Sequence, residues 1–109
     1  MAQNDMYVVM YKIIAFLYDC MKKGVSPDIE KISADALGIP EEYRVDVIKE
    51  LVDHGYVKGF GIRYADNMPV VIIDRPRVTM EGVAFAQENS MMGRAKAFLQ
   101  DAKASIPFI

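Results

Sequence analysis

Lys58, Arg63, Arg75 and Arg77 are the residues whose type and spacing best suit a chemistry. Between Tyr56 and Val78 only Asp66 and Asp74 oppose them, so the stretch keeps a net charge of +2. The chemistry is electrostatic, because lysine and arginine on a projecting element neutralise phosphate oxygens and release counterions. Arg94, Lys96 and Lys103, opposed by Asp101, extend the same balance. The competing reading is a set of ordinary solubilising charges, since four or five phosphate contacts support only weak, salt-sensitive binding. Tyr56 and Tyr64 have faces on which bases can stack, although aromatics on a short hairpin more often pack its root.

Other reactive side chains lead to blander readings. His54 has no second His or Cys at ligand spacing, and a helix C-terminus favours a cation there anyway. Cys20 is the single cysteine and lies in an apolar stretch, where a lone thiol is a core residue. A reactive thiol needs exposure and a cationic neighbour, for which Lys22 and Lys23 are the candidates. Ser26, Ser33, Ser90 and Ser105 lack the strand-turn-helix setting of a nucleophile, and the Asp and Glu residues form no acid-base pair. Gly59 and Gly61 do not begin a phosphate loop, because Tyr64 stands where the third glycine belongs and no helix follows; a bulged strand is expected instead. No enzyme activity, cofactor or metal is expected.

Two further surfaces compete for function. From Pro40 to His54, Arg44 and Lys49 face Glu41, Glu42, Asp46, Glu50 and Asp53, a net charge of −3. A helix reading DNA presents Arg, Lys, Asn, Gln or Ser to the bases, so this one is repelled by a major groove and reads as a solvated face with Glu41 and Glu42 on its dipole. Eight methionines, with Met91 and Met92 beside Phe98 and Leu99, suit an adaptable apolar contact. Met10, Phe16, Met91, Met92, Phe98, Leu99 and Phe108 are the candidate dimer or partner surface, the competing reading being core packing.

The elements that position these residues follow from periodicity and caps. Asn4 or Asp5 caps a helix from Met6 to about Lys23 with Gly24 beyond it, and this helix is apolar almost all round. Such a helix needs cover on both faces, from other elements of the chain or from a second copy; partial burial in a homodimer is expected, in which it and the C-terminal helix and tail supply the contact. A short second helix falls between Asp28 and Leu37, and a third runs from about Pro40 to His54, with Tyr43, Val47, Ile48, Leu51 and Val52 inward. From Tyr56 to Tyr64 the period becomes two, with Tyr56, Phe60, Ile62 and Tyr64 on one side. Residues 65–69 supply turn chemistry, and Val70–Ile73 is the second strand. Thr79 caps a fourth helix to about Glu88, and Ser90 a fifth with Met91, Ala95, Phe98, Leu99 and Ala102 on one stripe.

At 109 residues, 52% apolar and 26% charged, the chain is sized for one globular domain, and a net charge of −2 confines any nucleic-acid contact to a local patch. One cysteine fits a reducing cytoplasm, and the apolar run from Met6 to Tyr18 is too short and too interrupted by charge to anchor in a membrane.

Three helices, a hairpin and further helices give a mainly helical α+β order, that of a winged helix-turn-helix domain with a two-stranded wing at about 56–74. The domain spans 1–109, with a core over 1–78 and a C-terminal helical extension over 79–109. The Tyr11-Lys12-Ile13-Ile14 start, the Leu37-Gly38-Ile39 step and the His54-Gly55-Tyr56-Val57 turn resemble the YjcQ family, as do the Val78-Thr79 and Gly82 helix entry and the Glu88-Asn89-Ser90-Met91-Met92 junction. That resemblance implies a small winged-helix protein of bacteria and their phages, regulator-like and DNA-binding, and it implies no catalytic residues. Two functions follow as expectations. One is a cytoplasmic, phage-type protein touching double-stranded DNA through Lys58, Arg63, Arg75 and Arg77. The other is a winged helix turned protein-interaction module that does not bind DNA, using the acidic helix or the Met-rich and Phe-rich surface.

Overall fold

The computed structural model describes residues 5–88. Among them are four α-helices and a two-stranded antiparallel sheet, a mainly helical α+β arrangement. Helix α1 spans Met6–Lys23. The Asp5 carboxylate accepts the Tyr7 amide at 2.9 Å, and Gly24 takes the left-handed conformation that ends the helix. Its apolar circumference is covered from within the protomer by α3, β2 and α4, whose ranges follow. Val8, Val9, Tyr11, Ile13, Ile14 and Leu17 are all buried. Of the two kinds of cover that the sequence left open for α1, neighbouring elements of the same chain supply this much. Of the candidate contact residues on α1, Met10 is 4% exposed and packs in the core, while Phe16 is half-buried beside it.

Residues 29–37 form two short turns rather than one helix. A 3₁₀ turn, Ile29–Ile32, leads into the single turn of α2, Ala34–Leu37. Ser33 divides them because its extended backbone breaks the run, while its hydroxyl donates back to the Glu30 carbonyl at 2.9 Å and accepts the Ala36 amide at 3.1 Å. Helix α3 spans Glu41–Asp53, with Pro40 as the flanking residue rather than part of the first turn. Val45, Val47, Ile48 and Leu51 are buried, and Tyr43 and Val52 pack beside them.

Strands β1, Val57–Ala65, and β2, Met68–Val78, form the hairpin. The expected five-residue turn contracts to Asp66 and Asn67, both at positive φ (53° and 64°), the geometry of a two-residue loop that matches strand twist. β2 also runs five residues past the expected strand end, to Val78. Helix α4, Met80–Glu88, packs on α1 and returns to the root of the hairpin. Among the described residues no helix is long and apolar enough to cross a membrane.

Candidate nucleic-acid interface

The hairpin carries one irregularity, and it decides where the cations lie. Val57 pairs with Val78 and Lys58 with Arg77, but Phe60 pairs with Ile73, so Gly59 faces the three residues Asp74, Arg75 and Pro76. Gly59 sits at φ 87° and Arg75 at φ 54°. A Cβ on Gly59 would meet the Arg75 carbonyl and lie 2.6 Å from the Asp74 carbonyl oxygen, so only glycine lets the bulge close.

The bulge shifts the phase of the alternation. Strict period two from Tyr56 puts Val57 on the solvent side. Instead Val57 and Val78 are buried, and Phe60, Ile62 and Val71 pack on the same core from beyond the bulge. Lys58, Arg63 and Arg77 are consequently exposed, as is Arg75 in the bulge itself. Tyr56 is not available to a base: it stacks on Phe85, with ring centroids 4.6 Å apart, and on His54 at 5.5 Å. Tyr64 is 68% exposed near the tip.

Lys58 and Arg77 stand directly opposite one another, a like-charge pair that costs stability unless an anion relieves it. Among the described residues none of the four hairpin cations has an ion-pair partner, whereas Lys23, Arg44 and Lys49 on the helices are held by Asp19, Glu41 and Asp53. The exposed side of α3 is acidic: Glu42, Asp46 and Asp53 face solvent, and its cation, Lys49, is 3.5 Å from the Asp53 carboxylate. The structure thus separates a positive hairpin from a negative helix face.

The sequence model of a protein family described as YjcQ protein matches residues 11–104. The chain belongs to the YjcQ family. No curated protein matches it, and no solved structure does. Two of the motifs that resemble the YjcQ family meet at the root of the hairpin. The Thr79 hydroxyl donates to the Gly55 carbonyl at 2.5 Å and accepts the Gly82 amide at 3.1 Å, while the Thr79 amide donates to the Tyr56 carbonyl at 3.0 Å. Gly82 is buried against that same Tyr56 carbonyl, and a Cβ there would lie 2.7 Å from Val78 Cγ2. The threonine and glycine of this YjcQ-family segment therefore fasten α4 to the end of α3 and fix the base from which the hairpin projects.

Sequence reasoning counted Arg44 among the charges of the third helix, and the structure buries it. The residue is 8% exposed, with Nε donating to the Ile32 carbonyl at 2.8 Å and Nη1 to Glu41 at 3.0 Å. It ties the first turn of α3 to the 3₁₀ turn and so sets the angle of the acidic helix. The available signal was the unpaired carbonyl that any short 3₁₀ turn leaves at its end. Arg44→Leu is expected to cost about 1–2 kcal/mol, since the Ile32 carbonyl stays buried without its donor. A urea titration against the parent chain measures the difference.

The remaining candidates are placed or lie elsewhere. Cys20 is 7% exposed; burial, reinforced by Asp19 and opposed by Lys23, pushes its thiol pKa up, away from the thiolate that reactivity needs. His54 caps α3, its Nδ1 lying 2.9 Å from the Glu50 carbonyl oxygen. Met91, Met92, Phe98, Leu99 and Phe108, with Arg94, Lys96 and Lys103, lie outside the described residues.

Proposed function

We propose that this protein is a winged-helix, DNA-binding protein of the regulator type carried by phages and prophages, cytoplasmic and acting by binding rather than catalysis. In this reading α2 and α3 make the helix-turn-helix and the hairpin is the wing. The observation that carries it is the set of four exposed cations on one hairpin, none held by a carboxylate among the described residues. Lys58, Arg75 and Arg77 cluster at the base of the wing and Arg63 lies further out, so the wing grips phosphates along its length. The acidic face of α3 stays away from the bases, and binding is governed by shape and charge rather than by sequence.

The test is fluorescence anisotropy of a labelled mixed-sequence duplex at about 50 and about 200 mM salt, across which counterion release is visible. Binding is expected in the micromolar range of non-specific contacts and to weaken steeply with salt. Each alanine at Arg63, Arg75 or Arg77 is expected to lower the slope of log affinity against log salt by about one. Affinity and slope unchanged in the triple variant would overturn the assignment to the wing. The exposed Glu42, Asp46 and Asp53 favour a second reading, a protein-interaction module. No duplex binding at low salt is the outcome that favours it.

A further inference from the structure

Beside the hairpin runs an open groove of about 580 Å³, whose lining includes Pro27, Ile29, Val71, Ile73, Arg75 and Arg77. Every lining residue from the sheet belongs to β2 and none to β1, so the groove lies along the outer edge of β2. Among the described residues that edge is unpaired: the sheet has two strands, and no backbone hydrogen bond from another described segment reaches Val70–Arg77. Across the groove runs the segment that follows α1, where Pro27 has no amide to offer a neighbouring strand. Among the described residues the sheet therefore ends beside an open cleft.

From these features we infer that the groove is a docking site for an extended acidic peptide of a partner protein, which adds to the free edge of β2 as a third strand. Three features select that occupant. The stretch Val70–Asp74 lies between Pro69 and Pro76, so its edge offers backbone amides and carbonyls over the length of a short strand. Val71 and Ile73, two apart on β2, give an apolar floor to alternate side chains of an entering strand. Arg75 and Arg77, both exposed and without a carboxylate partner among the described residues, hold the far end of the groove positive, which suits glutamate or aspartate and rejects lysine.

The inference goes beyond the duplex reading and does not need it, and its test contains no nucleic acid. The probe is a fluorescein-labelled hexapeptide alternating valine and glutamate, compared by anisotropy with a valine-lysine version and with a valine-glutamate version N-methylated at alternate residues. The glutamate peptide is expected to bind saturably and about tenfold or more tightly than either control. The double variant Arg75→Glu/Arg77→Glu is expected to reverse the charge preference. Its substitutions are at exposed sites, and its urea midpoint reports whether it folds; should it not fold, the three peptides against the parent chain still decide. Equal binding of the glutamate and lysine peptides, no effect of N-methylation, or no saturable binding below about millimolar concentration overturns the inference. A dimer in light scattering that the glutamate peptide dissociates assigns the edge to a second copy of the chain and also overturns it.

Discussion

Gly59→Ala is expected to destabilise the protein by about 3 kcal/mol and to weaken duplex binding with it. Two costs add. A residue with a Cβ at φ 87° is strained by about 1–2 kcal/mol, and the methyl group runs into the carbonyls of Asp74 and Arg75 across the ladder. Those carbonyls belong to backbone that is itself turned into the left-handed region at Arg75, so they have little freedom to retreat. If the bulge opens instead, β2 slips against β1, and a slip of one residue exchanges the faces of a strand. Lys58 and Arg77 then lose their shared outward direction. Gly61→Ala, two residues away, is the control: nothing lies within 4 Å of its Cβ position, so it is expected to be neutral or slightly stabilising. Urea unfolding of both variants, with anisotropy of the duplex in parallel, separates the bulge from a general dislike of alanine in the strand.

Gly82→Ala is expected to lower the thermal midpoint by about 10 °C, corresponding to a net loss of about 2 kcal/mol. Helix propensity predicts the opposite sign, because alanine is the better helix former by about 1 kcal/mol. Packing wins here: the added methyl group meets the Tyr56 carbonyl and lies 2.7 Å from Val78 Cγ2, and neither is the tip of a flexible side chain. The helix must lift from the hairpin root, stretching the Thr79 contacts to Gly55 and Tyr56. A calorimetric scan of Gly82→Ala decides between the two effects by sign alone, since a rise in midpoint means that α4 is not pressed against the backbone.

Local signals were legible in the sequence, and signals that depend on register were not. Asp5, Gly24 and Gly38 act through neighbours within a few residues, as does Thr79 toward the Gly82 amide, so the two ends of α1, the end of α2 and the start of α4 could be read directly, whereas Ser33, which divides residues 29–37, could not. The four cations were likewise legible as a group, because a run of charge in a strand pattern is a property of the chain alone. Their arrangement was not. That Lys58 faces Arg77 depends on two extra residues in β2, and the sequence pattern ends the second strand at Ile73, whereas the structure carries it through Asp74-Arg75-Pro76 to Val78, paired with Val57. Pro69 misled in the same way, reading as turn chemistry where it lies on an edge strand that needs no amide there. The all-round apolarity of α1 was visible, but which elements cover it depends on contacts distant in sequence. Arg44 was miscounted for that reason: its partner carbonyl, on Ile32, is twelve residues away.

The junction at Thr79 has a bearing on how such a chain can vary. One hydroxyl holds the Gly55 carbonyl at 2.5 Å and the Gly82 amide at 3.1 Å, so the excursion from Gly55 to Thr79 is closed where it begins, while Val57, Phe60, Ile62, Val71 and Val78 pack its inner part on the core. The anchorage thus lies in the root and inner part of the hairpin and not at its tip. Residues added or removed in matched pairs about Asp66 and Asn67 change the reach of the hairpin while its anchorage stays as it is, and even a doubling of a loop's length costs only about 0.6 kcal/mol in closure entropy. The tip of the projecting arm is in this sense an interchangeable part: its length can change while the body that carries it stays the same.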